Sequence, residues 1–109
     1  LMPWFKIDDK WHSHPKTMGL SLAARGLWAV AGSWCMDALT NGEVPTGAVA
    51  RFGGTKKIAA ELVRAGLWLE IAGGYQFHEW LDHQPSKAKV LQFKRAERQL
   101  DAEPSLKGA

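Results

Sequence analysis

Gly42-Glu43-Val44-Pro45, Ala48-Val49-Ala50, Thr55-Lys56-Lys57-Ile58-Ala59-Ala60-Glu61-Leu62-Val63-Arg64, Leu67-Trp68-Leu69-Glu70-Ile71 and Gly73-Gly74-Tyr75-Gln76-Phe77 follow one another in the middle of the chain. Glu43-Val44 reads as a short strand. Pro45 or Thr46 opens a short helix that buries Val49 and Phe52, and Gly53-Gly54 breaks it. Thr55 caps the next helix, in which Ile58, Ala59, Leu62 and Val63 face inward while Lys57, Ala60, Glu61 and Arg64 share the outward face. Ala65-Gly66 ends it, and two apolar runs around Gly73-Gly74 form a hairpin. Strand, helix, tight turn, basic-faced helix and hairpin in that order predict a fold that is mainly α with a small β-hairpin, a winged helix-turn-helix.

The hairpin's register has two readings. A two-residue Gly73-Gly74 turn sets Leu69 against His78 and mixes faces. A three-residue Ala72-Gly73-Gly74 loop sets Ile71 against Tyr75 and Leu69 against Phe77, keeping apolar residues together, and is the expected one.

Upstream, Ser21 caps the strongest helix. Ala23, Leu27, Val30, Trp34 and Ala38 form one apolar stripe, and Trp28, Ala31, Cys35 and Leu39 a second beside it. Arg25, Ala29, Ser33, Met36 and Thr40 are left as a narrow exposed strip, and Asn41-Gly42 terminates the helix. So broad an apolar face predicts cover from the N-terminal arm or from a second chain, and a homo-oligomer is expected. Trp4 and Phe5 in the arm call for burial, and His14-Pro15-Lys16 starts a helical turn. Downstream, Gln84-Pro85-Ser86 leads to a last helix from Lys87 to about Leu100, with a thin apolar face (Val90, Phe93, Ala96, Leu100) and a basic stripe (Lys87, Lys94, Arg98). The expected organisation is a winged-helix domain with its arm over residues 1–85, a basic helix over 86–100, and a disordered tail or linker over 101–109.

Composition narrows the function. At 109 residues with 46% hydrophobic content and six tryptophans, the chain can build one real core. It has no apolar run near a membrane span and no signal-peptide pattern over Leu1 to Lys16. The lone Cys35 excludes an internal disulfide and reads as a small buried hydrophobe in a reduced, cytoplasmic setting. The net charge is only +3, yet cations gather at Arg51, Lys56, Lys57 and Arg64 and again at Lys87, Lys89, Lys94, Arg95 and Arg98. Two basic patches on a nearly balanced background point to a polyanion.

Catalytic and metal chemistry find little support. His12-Ser13-His14 lacks the bulky central residue of a rolling-circle nuclease motif, and the only tyrosine, Tyr75, is on the hairpin. His78 and His83 with Glu79 and Asp82 read as a surface or capping group, so no metal or cofactor is expected. There is no P-loop, dinucleotide fingerprint or nucleophile motif, and the chain reads as a non-enzyme. Trp28 and Trp34 read as core, whereas Trp68 and Trp80, flanking the hairpin, are the candidates for stacking on bases.

Trp4-Phe5-Lys6-Ile7-Asp8-Asp9, His12-Ser13-His14-Pro15-Lys16, Gly26-Leu27-Trp28, Gly32-Ser33-Trp34-Cys35 and Gly73-Gly74-Tyr75-Gln76-Phe77-His78-Glu79-Trp80 resemble the N-terminal domain of a family common in actinobacteria and their phages. In layout that domain is similar to the winged-helix N-terminal domains of phage replication proteins and replisome organisers of the DnaD type. The resemblance implies DNA-associated and self-associating roles, without catalytic residues. The expected function is therefore DNA binding in phage or prophage replication or regulation, on duplex rather than single strands. Thr55, Lys56, Lys57 and Arg64 would hold phosphates from the basic-faced helix, Gln76 from the hairpin, and Lys87, Lys94 and Arg98 from the last helix. The competing expectation is a protein-interaction module that dimerises or docks a replication or host factor without touching DNA.

Overall fold

The computed structural model describes residues 4–102, with side chains through residue 99. A single 3-10 turn (Trp11–Ser13) leads into α1 (Pro15–Met18), α2 (Leu22–Ala38), β1 (Glu43–Pro45), α3 (Thr46–Arg51) and α4 (Lys56–Arg64). Then come β2 (Trp68–Ile71), β3 (Gly74–Phe77), α5 (Trp80–His83) and α6 (Lys87–Ala102). The structure is mainly helical, with one three-stranded antiparallel sheet in the order β1-β3-β2. The short strand thus joins the hairpin through its second arm. Among the described residues no helix is long and apolar enough to cross a membrane.

Helix starts follow side-chain chemistry. The Nδ1 of His14 accepts from the Lys16 N–H with Pro15 at the first helical position, Ser21 Oγ accepts from the Ala24 N–H, and Thr55 Oγ1 accepts from the Ile58 N–H. α2 ends one turn of chain before the Asn-Gly pair, with Leu39 itself left-handed at φ 58°, followed by Asn41 and Gly42 at φ 54° and 89°. Gly42 has a second reason to be glycine: a Cβ there would lie 2.8 Å from the Trp80 ring.

The buried face of α2 is Ala24, Leu27, Trp28, Ala31, Gly32, Cys35 and Met36, a helical i, i+3, i+4 succession. This corrects the expected stripes. Met36 turns inward, Val30 outward, and Ala23 and Ala38 are exposed. The physical reason is the arm. Phe5 lies so close over Gly32 that any Cβ would overlap its ring, and it packs on Trp28, Phe77 and Trp80 at centroid distances of 5.1, 6.1 and 5.8 Å. Trp11 stacks on Trp28 at 4.4 Å. The helix therefore presents its Trp28–Gly32 line to the arm, and part of the apolar breadth is covered from within the chain. Only one of the two arm aromatics packs on the core this way, and it is half-buried; Trp4 remains 69% exposed. Gln84 fastens the arm as a neighbouring strand would. Its Oε1 accepts from the Lys6 N–H at 2.8 Å and its Nε2 donates to the Lys6 carbonyl at 2.6 Å.

The hairpin register differs from expectation. Ile71 pairs with Gly74, Glu70 with Tyr75, Leu69 with Gln76 and Trp68 with Phe77, around a two-residue Ala72-Gly73 turn with Gly73 at φ +82°. Opposed residues share a face, so Trp68 joins Tyr75 and Phe77 in the core, at ring distances of 5.2 and 5.5 Å. Leu69 and Ile71 go to the outer face, 51% and 38% exposed. The indole, the largest side chain on β2, is fully buried against both rings, and the two aliphatic chains take the solvent side. Trp68 and Trp80 are consequently core residues and not stacking platforms.

After Gln84, the Lys87 N–H donates to Asn41 Oδ1 at 2.7 Å, Ser86 Oγ accepts from the Lys89 N–H, and Val90 is fully buried. Beyond that anchored first turn, Ala96 is exposed and Phe93 half-buried. The helix runs through Ala102, so residues 101 and 102, expected in a tail, are helical; the rest of that tail lies outside the described residues.

Candidate nucleic-acid interface

α4 packs on α2 through the buried Ala59 and Leu62. The side that remains open forms, with the hairpin, a groove of about 440 Å³ lined by Thr46, Lys56, Ala60, Val63, Arg64, Glu70, Ile71, Gly73, Gly74 and Tyr75. Thr46 locks the hairpin tip to the start of α3, since its N–H and its hydroxyl both donate to the Gly73 carbonyl, at 3.0 and 3.1 Å. The groove thus has one wall on a helix and the other on a hairpin whose tip is pinned.

The structure brings Lys56 and Arg64 together on this groove. Lys57 is exposed on the same helix but does not line it. Among the described residues no salt bridge engages any of the three. Thr55 accepts the Ile58 N–H at 3.2 Å, which leaves its hydroxyl proton available to an acceptor outside.

Glu61, placed on the outward face by its spacing, points elsewhere. Its carboxylate accepts from the Ser21 N–H at 3.0 Å and from the Ser21 hydroxyl at 2.8 Å, at the N-terminus of α2. A carboxylate there meets unpaired backbone donors and the positive end of the helix dipole. The two Ser21 bonds, with help from the Arg64 and Lys57 charges, hold its carboxyl below the usual range. The one acid of α4 is therefore tied to the start of α2, while its charge still acts on Lys57 and Arg64. A group with a depressed folded pKa stabilises above its unfolded pKa and loses that contribution as pH falls through the folded value. The parent's advantage in Tm over Glu61→Gln should accordingly be full at neutral pH and shrink as pH drops below about 4.5. An advantage independent of pH would contradict the Ser21 link.

The remaining sequence-predicted residues are placed apart. Gln76 lies mid-sheet with its Nε2 donating to the Asn41 and Phe77 carbonyls at 3.0 and 3.2 Å, a structural tie between β3 and the α2–β1 loop. Lys87, Lys94 and Arg98 are exposed on α6, whose root is fixed by Asn41 just before β1, whereas the groove's hairpin tip is fixed by Thr46 just after it. The structure does not gather these three into the groove. Thr46 and Glu70 belong to the groove and were not foreseen. Glu70 is found there only because the register turns it toward Tyr75.

No family model, curated protein or solved structure matches this chain. Elsewhere on the surface, His78 and His83 flank Glu79 at 3.2 and 3.6 Å. Among the described residues no group of three or more metal-ligating side chains is arranged to hold an ion. Cys35 is buried with its Sγ 3.5 Å from the Glu43 carbonyl, and burial pushes its thiol up to about 11, which makes it a packing residue with little thiolate at neutral pH.

Proposed function

We propose that this chain is a winged-helix DNA-binding protein that holds duplex phosphates between α4 and the β2–β3 hairpin. The order α2-β1-α3-α4-β2-β3, with β1 added to β3, supports the winged helix-turn-helix reading. The observation that carries the function is the groove itself: among the described residues Lys56 and Arg64 stand on it without salt-bridge partners, and the neighbouring Glu61 is hydrogen-bonded to Ser21. Lys57 and the Thr55 hydroxyl extend the phosphate contacts along the same helix. The other groove-facing side chains of α4, Ala60 and Val63, offer no hydrogen bonds to base edges, and Glu70 repels phosphate. Such a surface positions DNA and reads little of its sequence. The likeness in layout to phage replication proteins and replisome organisers supports a role in phage or prophage replication or regulation.

Fluorescence anisotropy with a labelled duplex at low salt tests this. Lys56→Ala/Arg64→Ala should weaken binding to every sequence by roughly tenfold or more, as loss of two charge-assisted contacts requires. Lys94→Ala/Arg98→Ala should weaken it less. Equal losses from both pairs would contradict an interface centred on the α4 groove.

Protein docking is the second reading, favoured by the exposed Leu69 and Ile71 on the outer face of β2. If the chain binds no DNA at low salt while Leu69→Ser/Ile71→Ser abolishes capture of a partner protein or of a second copy, that reading replaces the first.

A further inference from the structure

We propose that the outer face of α2 is the interface of a homodimer, on which a second copy of this chain lies antiparallel. Leu22, Gly26, Ala29, Val30 and Ser33 follow one another at helical spacing, opposite the buried Ala24, Ala31 and Cys35. Leu22 is 81% and Val30 47% exposed. A solvated helix face ordinarily carries charge, as α4 and α6 do: four of the nine residues of α4 and seven of the sixteen of α6 are charged. Of the seventeen residues of α2 only Arg25 and Asp37 are, and neither interrupts the run from Gly26 to Ser33. Gly26 is exposed in the interior of this helix, where glycine is the poorest helix former after proline. A Cβ there would meet nothing within 4 Å, in contrast to Gly32 on the arm side. The packing of the chain on itself gives Gly26 no reason to be glycine. Close approach of another backbone does.

Charge selects a second copy as the occupant. The centre of the face is uncharged and offers nothing to a charged partner, and its two charges stand near opposite ends of the helix, Arg25 in the second turn and Asp37 in the last. Among the described residues neither forms a salt bridge, and the Nη2 of Arg25 donates only to the Met18 carbonyl, at 3.4 Å. Antiparallel pairing about a two-fold axis near Val30 lays the end with Arg25 beside the end with Asp37 of the other copy, twice over, and sets the two macrodipoles in their favourable order. Gly26 then comes opposite Ser33 of the other copy, and two such small side chains let the helix axes approach closely. A parallel pair would set Arg25 against Arg25 and Asp37 against Asp37, which like charge disfavours. None of the residues of this face lines the α4 groove, so the dimer stands whether or not that groove takes DNA.

Sedimentation equilibrium of the full chain over about 1 to 300 μM tests the proposal. A face of three turns is small for a protein interface, so a reversible monomer–dimer equilibrium with a Kd of roughly 10 μM is expected. Gly26→Ala should raise the Tm of the dilute monomer by a few degrees, because alanine is the better helix former and meets open space, while weakening the dimer about tenfold. A glycine that served only the fold would not move the two readouts in opposite directions. Val30→Glu and Val30→Lys, at an exposed position, should each abolish self-association by placing like charges across the two-fold axis, and an equimolar mixture of the two should restore a dimer. Leu69→Ser/Ile71→Ser, on the hairpin, should leave the dimer at the parent's affinity. A purely monomeric parent up to about 300 μM, a dimer untouched by Val30→Glu, or a dimer lost in Leu69→Ser/Ile71→Ser overturns the α2 interface. A mixture of Val30→Glu and Val30→Lys that stays monomeric overturns its antiparallel arrangement.

Discussion

Gly74→Ala is expected to cost about 3 kcal/mol or more and to abolish the native near-ultraviolet signal of the tryptophans at ambient temperature if the parent is only marginally stable. Gly74 opens β3 opposite Pro45. A Cβ on it would overlap the Val44 carbonyl oxygen and lie 2.9 Å from the Pro45 Cα. These are backbone atoms of a paired strand, so the overlap is relieved only by separating β1 from β3. Val44, Tyr75 and Phe77 share the buried face of that pair, and the core opens with it. Gly73→Ala is the matched control. It faces open space at φ +82°, so only the left-handed backbone penalises it, by about 1 kcal/mol. Urea unfolding of the two variants should rank Gly74→Ala well below Gly73→Ala. Similar midpoints would contradict the register.

Gly32→Ala is expected to cost about 3 kcal/mol, close to the effect of Phe5→Ala, because both remove the same ring from the same slot. The new methyl would occupy the space of the Phe5 ring over α2. Phe5 is a side chain on an arm and can leave, so the domain survives, but its packing on Trp28, Phe77 and Trp80 is lost. The two substitutions should therefore be strongly non-additive, with Phe5→Ala/Gly32→Ala no less stable than either single variant. Additive losses would show that Phe5 and Gly32 act independently.

The sequence was most legible where chemistry is local. Ser21 and Thr55 cap helices because a hydroxyl satisfies a free N–H three residues on, and Gly66 follows α4 at φ +79° because the chain must reverse there. These signals place the elements between residues 21 and 77 in their observed order. Legibility failed where the outcome depends on distant partners. The phase of α2 is set by Phe5 across the chain, and the hairpin register by Trp68 competing with Leu69 and Ile71 for one buried face. Gln84, which holds the arm, reads as part of a polar linker until its two bonds to Lys6 are seen. For the candidate site, spacing found Lys56, Lys57 and Arg64 on one helix but could not tell which faces the hairpin. It also left Glu61 among the outward residues, because its partner Ser21 lies 40 positions away.

The most direct test of phosphate binding at the α4 groove is the salt dependence of duplex affinity, measured by anisotropy between about 50 and 200 mM salt for the parent and for Lys56→Ala/Arg64→Ala. If Lys56, Lys57 and Arg64 each hold a phosphate as proposed, the log–log slope should be about −2.7 and affinity should fall roughly 40-fold across that range. Removing two of them should flatten the slope to about −0.9, equally for unrelated sequences. A double variant that keeps both the parent's affinity and its slope would contradict the placement of DNA on this groove.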